Sequence, residues 1–257
     1  MAIQNSSRRL VVAACLGGLV PSLAVAQTEH DPLTFFYQDA RPERLVGFLD
    51  AIGKNQRNWM AYPPIVGFFA VIFQKYPDWT AKLLPSRYDA ELSPAIVAAA
   101  QLSGRPLPAH MPNVAPDPRL EQQLSGLPSS IQDLRISTAT HLDICWGAFF
   151  ASGDPRYVQE ILAFFAKTAN RSDDVALDLT RIVLAYEGGP KEVYGEIKGK
   201  YGQALARELV MAASAEWGLV SNARRHPIVD REIETFIAAN HGSFAAKSLS
   251  ALRTKRT

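Results

Sequence analysis

Apolar side chains recur at helical spacing behind several prolines of this chain. Behind Pro42 and behind Pro155, apolar residues fall at offsets of +3, +6, +7 and +10, which places them on one face of an amphipathic helix. Proline suits the first turn of a helix, because the N–H that it lacks would have no partner inside the helix. The pattern therefore predicts a helix that begins at each proline. The apolar residues are Leu45, Phe48, Leu49 and Ile52 in the first segment and Val158, Ile161, Leu162 and Phe165 in the second.

Part of this arrangement returns at Pro77, with apolar residues at +6 and +7, and at Pro190, with apolar residues at +3 and +7, and Pro227 is a looser copy. The intervals between successive prolines of this set are 35, 78, 35 and 37 residues. The interval of 78 is about two units, so the period is 35 to 39 residues. A period of this size is typical of a helical-hairpin repeat, in which neighbouring hairpins bury each other's apolar faces. Strand signals are scarce, because no alternating run is bounded by Asn-Gly or Asp-Gly. We expect an all-α fold of stacked helical hairpins, tetratricopeptide-like or a related α-solenoid; the alternative is an irregular helical domain.

The least helical part of the sequence is residues 104–128, which hold six prolines. Structureless connections of this length are uncommon inside compact domains. The sequence shows no shift in composition across this loop. We therefore expect a single all-α domain over residues 27–257, or two helical halves (30–103 and 129–257) joined by the Pro-rich loop 104–128.

The first 26 residues are typical of a secretory signal peptide. Arg8 and Arg9 precede an apolar run over residues 10–25, and Ala24-Val25-Ala26 forms a small-residue cleavage site before Gln27. An uncleaved membrane anchor fits less well, because the run is short and contains Pro21 and two glycines. A lipoprotein site at Cys15 fits poorly too, since most of the apolar run follows the cysteine. We predict cleavage after Ala26, no membrane span afterwards, and a periplasmic or secreted location.

The charge balance excludes one class of partner. Cleavage removes two arginines and no acid, which leaves 25 basic and 25 acidic side chains in the mature chain. A nucleic-acid binder needs an excess of basic residues, so nucleic acid is not an expected partner. Cys15 leaves with the signal, and the remaining Cys145 cannot form an intramolecular disulfide. We expect Cys145 to be buried as a small apolar residue.

One segment contains residues that could support catalysis or bind a metal. His141 and Cys145 are four residues apart and share a helix face, as a nucleophile with its base or half of a metal site would. The same segment continues as an apolar helix through Phe150, so a buried structural cysteine is the simpler interpretation. The other histidines show no paired ligand spacing; they are His30, His110, His226 and His241.

Acidic residues offer no better site. Glu91, Glu121 and the pair Asp173-Asp174 could be imagined as the acid and base of a hydrolase, but sequence spacing cannot place two carboxylates at the required separation. Ser172 or Asp173 is more simply the N-cap of a helix. The sequence has no phosphate-binding Gly loop, no Gly-x-Ser-x-Gly and no His-Glu-x-x-His. We predict no catalytic, cofactor-binding or metal-binding residue and no cofactor.

A dense group of aromatic residues lies between positions 59 and 79. In a helical array such residues are usually core, and the alternative is a groove for a peptide or an apolar ligand. The group consists of Trp59, Tyr62, Phe68, Phe69, Phe73 and Trp79.

Residues 142–154 read Leu-Asp-Ile-Cys-Trp-Gly-Ala-Phe-Phe-Ala-Ser-Gly-Asp. This segment is similar to a Leu-Asp-x-x-Trp-x-x-Phe-Phe-Ala-[Ser/Thr]-Gly-Asp pattern of uncharacterised exported bacterial proteins of helical, tetratricopeptide-like build. Residues 63–70, with Phe73 after them, resemble the same group. The resemblance implies the fold and export, and it implies no activity.

Together these features predict an exported helical-repeat protein that binds a protein or peptide, because stacked helices offer extended binding surfaces. The alternative is a periplasmic carrier of a small apolar ligand or lipid, held among the aromatic residues. A cell-wall hydrolase is a third hypothesis.

Overall fold

The computed structural model describes residues 33–55, 62–85, 92–105, 122, 124–185 and 191–255. These residues form helices joined by turns and short extended links, and none of them forms a strand. The all-α prediction is therefore confirmed. The predicted signal peptide (residues 1–26) and residues 106–121 of the Pro-rich loop lie outside the described residues.

The described α-helices are α1 (Phe48–Asn55), α2 (Tyr62–Lys75), α3 (Thr80–Leu83), α4 (Leu92–Leu102), α5 (Ala139–Ser152), α6 (Pro155–Ala169), α7 (Asp173–Ala185), α8 (Lys191–Ala223), α9 (Pro227–Ala239) and α10 (Phe244–Lys255). Short 3₁₀ turns cover Phe36–Gln38, Pro42–Leu45, Pro77–Trp79 and Ile131–Asp133.

The prolines begin helical structure, although not always the predicted α-helix. Pro155 and Pro227 are the first residues of α6 and α9, as predicted. Pro42 and Pro77 instead begin 3₁₀ turns. Behind Pro42, Gly47 has a positive φ of 78° that no helix accommodates, so α1 starts only at Phe48 and that prediction is wrong by six residues. Pro190 lies outside the described residues.

The described residues divide into two compact units, one ending at Tyr157 and one starting at Val158. In the N-terminal unit, α2 packs against α4 and α5. Every residue of α2 from 63 to 73 and of α5 from 141 to 151 is buried. A helix that is apolar all round is expected at the centre of a core, and these two helices form the centre of this unit.

In the C-terminal unit, α8 packs against α7, α9 and α10, and α9 also packs against α10. The helical run of α8 is interrupted at Gly202, whose φ of 79° and ψ of 170° are not helical. The hairpin-repeat and tetratricopeptide-like parts of the fold prediction, and the division at the Pro-rich loop, stay predictions. Across the described ranges, no helix is both long enough and apolar enough to cross a bilayer.

Candidate functional site

The His141–Cys145 face of α5 is buried. Cys145 is 1% exposed, which confirms the prediction that it is an interior residue. Nδ1 of His141 lies 2.9 Å from the carbonyl oxygen of Arg135. A carbonyl only accepts, so Nδ1 carries the ring proton and donates it there. Burial lowers the pKa of His141, and the bond to Arg135 offsets part of this effect.

This arrangement favours a structural histidine over a catalytic base. The backbone N–H of His141 donates to Thr138 Oγ1, which caps the start of α5. The imidazole therefore ties the preceding loop to the first turn of the helix. A neutral, buried imidazole supplies no positive charge that could stabilise a thiolate.

Asp143 is the unexpected member of this segment. It is buried in α5, and the structure shows no hydrogen bond or ion pair for it among the described residues. Burial alone raises its pKa to about 8. A carboxyl group in this setting holds its proton at neutral pH. Sequence reasoning did not single it out; the only signal is one acid within an otherwise apolar helix.

Three other residues of the 142–154 segment pack α5 against α2, end α5 and cap the start of α6. Gly147 lies directly against the backbone of α2. Gly153 ends α5 in the left-handed conformation (φ 66°), and its N–H donates to Phe149 at 2.7 Å. Asp154 then accepts the Arg156 N–H at 3.0 Å and caps the first turn of α6. This segment therefore has clear architectural roles, and only Asp143 lacks one.

The remaining polar predictions do not assemble into a site. Ser172 Oγ accepts the Val175 N–H and caps α7, as one of the two predicted caps. Asp173 and Asp174 follow it as exposed neighbours, which point in different directions from the helix. Among the residues that the structure describes, no three His, Cys, Asp or Glu side chains come together as a metal site would need. The other candidates Glu91, Glu121, His30 and His110 lie outside the described residues.

The aromatic group is interior where it is described. Phe68 packs against Phe36 and Phe69 with ring centroids 5.3 and 5.4 Å apart. Phe69 in turn contacts Phe73 at 5.6 Å. Trp79 is half-buried under the ammonium group of Lys82. These contacts support a structural role for the group; Trp59 and the side chain of Tyr62 lie outside the described part of the structure.

A second buried acid lies in the C-terminal unit. Glu216 is completely buried in α8, and neither carboxyl oxygen makes a hydrogen bond within the described part of the chain. Burial raises its pKa to about 7, and the Ser248 hydroxyl, which does not reach hydrogen-bonding geometry with either oxygen, offsets part of this effect. At neutral pH this group is partly protonated, as expected for an acid with no counter-ion among the residues that the structure describes.

The exposed feature that the sequence analysis missed lies on α7. Leu177 and Leu184 are 63% and 65% exposed. They are seven residues apart and therefore lie on the same helix face. Arg181 lies between them on the same face and is exposed as well. We call Leu177, Arg181 and Leu184 the α7 stripe. The available signal was a pair of leucines opposite the buried face that contains Leu179.

Beside the stripe, the carboxylate of Asp178 is 4% exposed and accepts three hydrogen bonds. Arg181, Lys200 and Tyr201 each donate to it at 2.9 Å. Burial works against ionisation of Asp178, but the bonds from Lys200, Arg181 and Tyr201 outweigh it and lower the pKa. Arg181 also donates to Glu196 at 2.5 Å. The cluster therefore joins α7 to the first part of α8.

Comparison with known protein families, with curated proteins and with solved structures finds no match to this chain.

Proposed function

We propose that the protein is an exported helical binding protein that docks an amphipathic peptide segment of a partner protein along the α7 stripe. The observation that carries the proposal is the exposure of Leu177 and Leu184 on a single helix face. Single exposed apolar residues are ordinary on protein surfaces. Two of them, two helical turns apart, match the spacing with which a groove or helix face reads a helical ligand.

The distance between the two leucines sets the length of the docking face. Seven residues of α-helix rise by about 10 Å, so a ligand would present apolar side chains two turns apart. The remaining large apolar residues exposed in the described structure, Val46 and Val97, lie in the N-terminal unit and do not share a helix.

The charge around the stripe indicates the chemistry of the ligand. Asp173 and Asp174 are exposed at the N-terminal end of α7, where Lys200 Nζ lies 4.0 Å from Asp174 Oδ2. The positive charge of Arg181 is already balanced by Asp178 and Glu196. The exposed face of α7 is therefore acidic at one end and neutral along its middle. Complementary charges steer partners, so we propose a segment in which lysine or arginine accompanies the apolar residues.

A peptide titration tests this proposal. Two synthetic helical peptides of equal length carry the same leucine spacing, one with lysines and one with glutamates at its polar positions. The basic peptide is expected to bind the mature protein, and the acidic peptide to bind at least about tenfold more weakly. Changing Leu177→Asp together with Leu184→Asp should abolish binding.

Val46→Asp is the matched control, because Val46 is comparably exposed but belongs to the N-terminal unit. It should leave the affinity unchanged. Equal binding of the basic peptide to the wild type and to the Leu177/Leu184 double variant would contradict the proposal.

A further inference from the structure

Residues 191–201 form a separate helical segment ahead of the main part of α8. At Gly202, φ is 79° and ψ is 170°, a conformation that is essentially restricted to glycine. A Cβ at this position would meet nothing within 4 Å, so the backbone angles and not the packing require glycine. The break separates residues 191–201, which we call the strap, from residues 203–223.

The two parts of α8 differ in how they are held. From residue 193 to 201, only Ile197 is buried. From residue 209 to 216, every residue is buried. The strap also contains Gly195 and Gly199, which lower helix stability more than any residue except proline. Few buried apolar contacts are the feature of segments that open locally, so we expect the strap to open more easily than residues 209–216.

Polar contacts hold the strap against α7. Lys200 Nζ and Tyr201 Oη both donate to Asp178 Oδ2 at 2.9 Å. Glu196 accepts from Arg181, which is also the middle residue of the α7 stripe. Asp178 lies next to Leu177 in the sequence and faces the strap side of α7. The Asp178 carboxylate, which also accepts from Arg181 of the stripe, is thus occupied by the strap's own lysine and tyrosine.

We propose that the strap is an autoinhibitory contact of the docking surface proposed above for α7: Lys200 and Tyr201 occupy the Asp178 carboxylate that a basic residue of the docked peptide takes over when the strap opens. The exchange is chemically balanced, because one ammonium or guanidinium group replaces another on the same carboxylate. Opening also releases Glu196 from Arg181, while Arg181 keeps its bond to Asp178 Oδ1 and leaves Oδ2 to the ligand. The inference rests on the proposed function, since it names the regulation of the same site.

Two variants of the full mature chain change the strap in opposite directions. Lys200→Met with Tyr201→Phe removes the two strap donors and leaves α7 untouched. Gly195→Ala with Gly199→Ala strengthens the strap helix, because a Cβ at either position meets nothing within 4 Å. Lys198→Met is the matched control: it removes one exposed strap lysine that makes no contact with Asp178 in the described structure.

Amide hydrogen exchange measures the opening of the strap without any ligand. In the first variant the amides of residues 195–201 should exchange about tenfold faster than in the Lys198→Met control, and those of residues 209–216 should not change. In the alanine variant the strap amides should exchange more slowly. Unchanged strap exchange in both variants would overturn the proposal.

The affinity of the basic peptide then measures whether opening of the strap promotes binding to the α7 stripe. It should bind severalfold more tightly to the Lys200/Tyr201 variant and more weakly to the Gly195/Gly199 variant than to the control. Faster exchange with unchanged affinity would overturn autoinhibition while the docking surface stands. Failure of the peptide to bind any of these proteins would overturn the proposed function, and autoinhibition with it.

Discussion

Gly67 and Gly147 lie against each other's helices at the point where α2 crosses α5. A Cβ on Gly67 would overlap the carbonyl oxygen of Ile144, and a Cβ on Gly147 would overlap the carbonyl oxygen of Pro64. The relationship is reciprocal, because each glycine meets the carbonyl three residues before the other one. The two central helices of the N-terminal unit are therefore in backbone contact, and only glycine permits this approach.

Gly67→Ala and Gly147→Ala should each destabilise the protein strongly. The clash is with backbone on both sides, so a whole helix has to move to admit one methyl group. We expect a loss of about 3 kcal/mol or more in the free energy of unfolding, measured by urea titration. Gly195→Ala in α8 is the control, since its Cβ has open space and should leave stability equal or higher. Wild-type stability of Gly147→Ala would show that the two helices are not in backbone contact.

Asp143 should make the stability of the N-terminal unit depend on pH. Its pKa in the folded protein is about 8, well above the value of about 4 in an unfolded chain. The unfolded state therefore loses its proton first as the pH rises. The contribution of the protonated Asp143 to the free energy of unfolding is fully present below about pH 4. It falls on the order of 1 kcal/mol per pH unit above that and is lost once the pH passes about 8.

Asp143→Asn replaces the titrating carboxyl group with a neutral amide and should remove this dependence of stability on pH. The variant should be close to the wild type in acid and more stable than it at pH 8, measured by urea unfolding at several pH values. Parallel curves for Asp143→Asn and the wild type would contradict the raised pKa of Asp143.

Glu216 should also make the protein less stable as the pH rises, and its effect should be complete at a lower pH than that of Asp143. Its folded pKa is about 7, so the contribution that its protonated form makes to stability is lost as the pH rises through about 7. Glu216→Gln should flatten this part of the profile. Ser248→Ala should raise the pKa further, because the Ser248 hydroxyl lowers it in the wild type. A lower pKa in Ser248→Ala, followed by carboxyl NMR titration, would contradict this assignment.

Cys145 should behave as a structural thiol. It is 1% exposed in α5, at the centre of the N-terminal unit, so a thiol reagent should label it slowly in the native protein and rapidly in denaturant. Cys145→Ala should cost about 1 to 2 kcal/mol of stability, as a small truncation in a core does. Rapid native labelling that disappears in His141→Ala would reveal an activated thiolate and would support an enzyme.

His141→Ala should be more damaging than a surface change. The ring is buried and donates to the Arg135 carbonyl, so the substitution removes a buried hydrogen bond and leaves a small cavity. We expect a loss of about 2 kcal/mol in thermal or urea unfolding. Arg135→Ala preserves the carbonyl acceptor and is expected to cost much less.

The sequence alone determined the all-α class and several helix starts. These follow from local rules: the fixed φ of Pro155 and Pro227 suits a first helical turn, and the apolar spacing behind Pro155 repeats with the helical period. The burial of Cys145 was predictable for the same reason, because its helical neighbours are apolar. Behind Pro42 the local rule failed, since Gly47 turns the chain before α1 can begin.

The tertiary structure decided which helix faces meet, and the features proposed here depend on that choice. Gly67 and Gly147 are ordinary glycines in the sequence, and only the crossing of α2 and α5 makes them indispensable. The sequence places Asp143 in an apolar helix, and long-range packing buries it there with no counter-ion from the described part of the chain. Leu177 and Leu184 could have been core residues, but α7 buries the opposite side of its surface against α8. Local sequence determines the period of a helix, whereas the direction in which it faces depends on partners far along the chain.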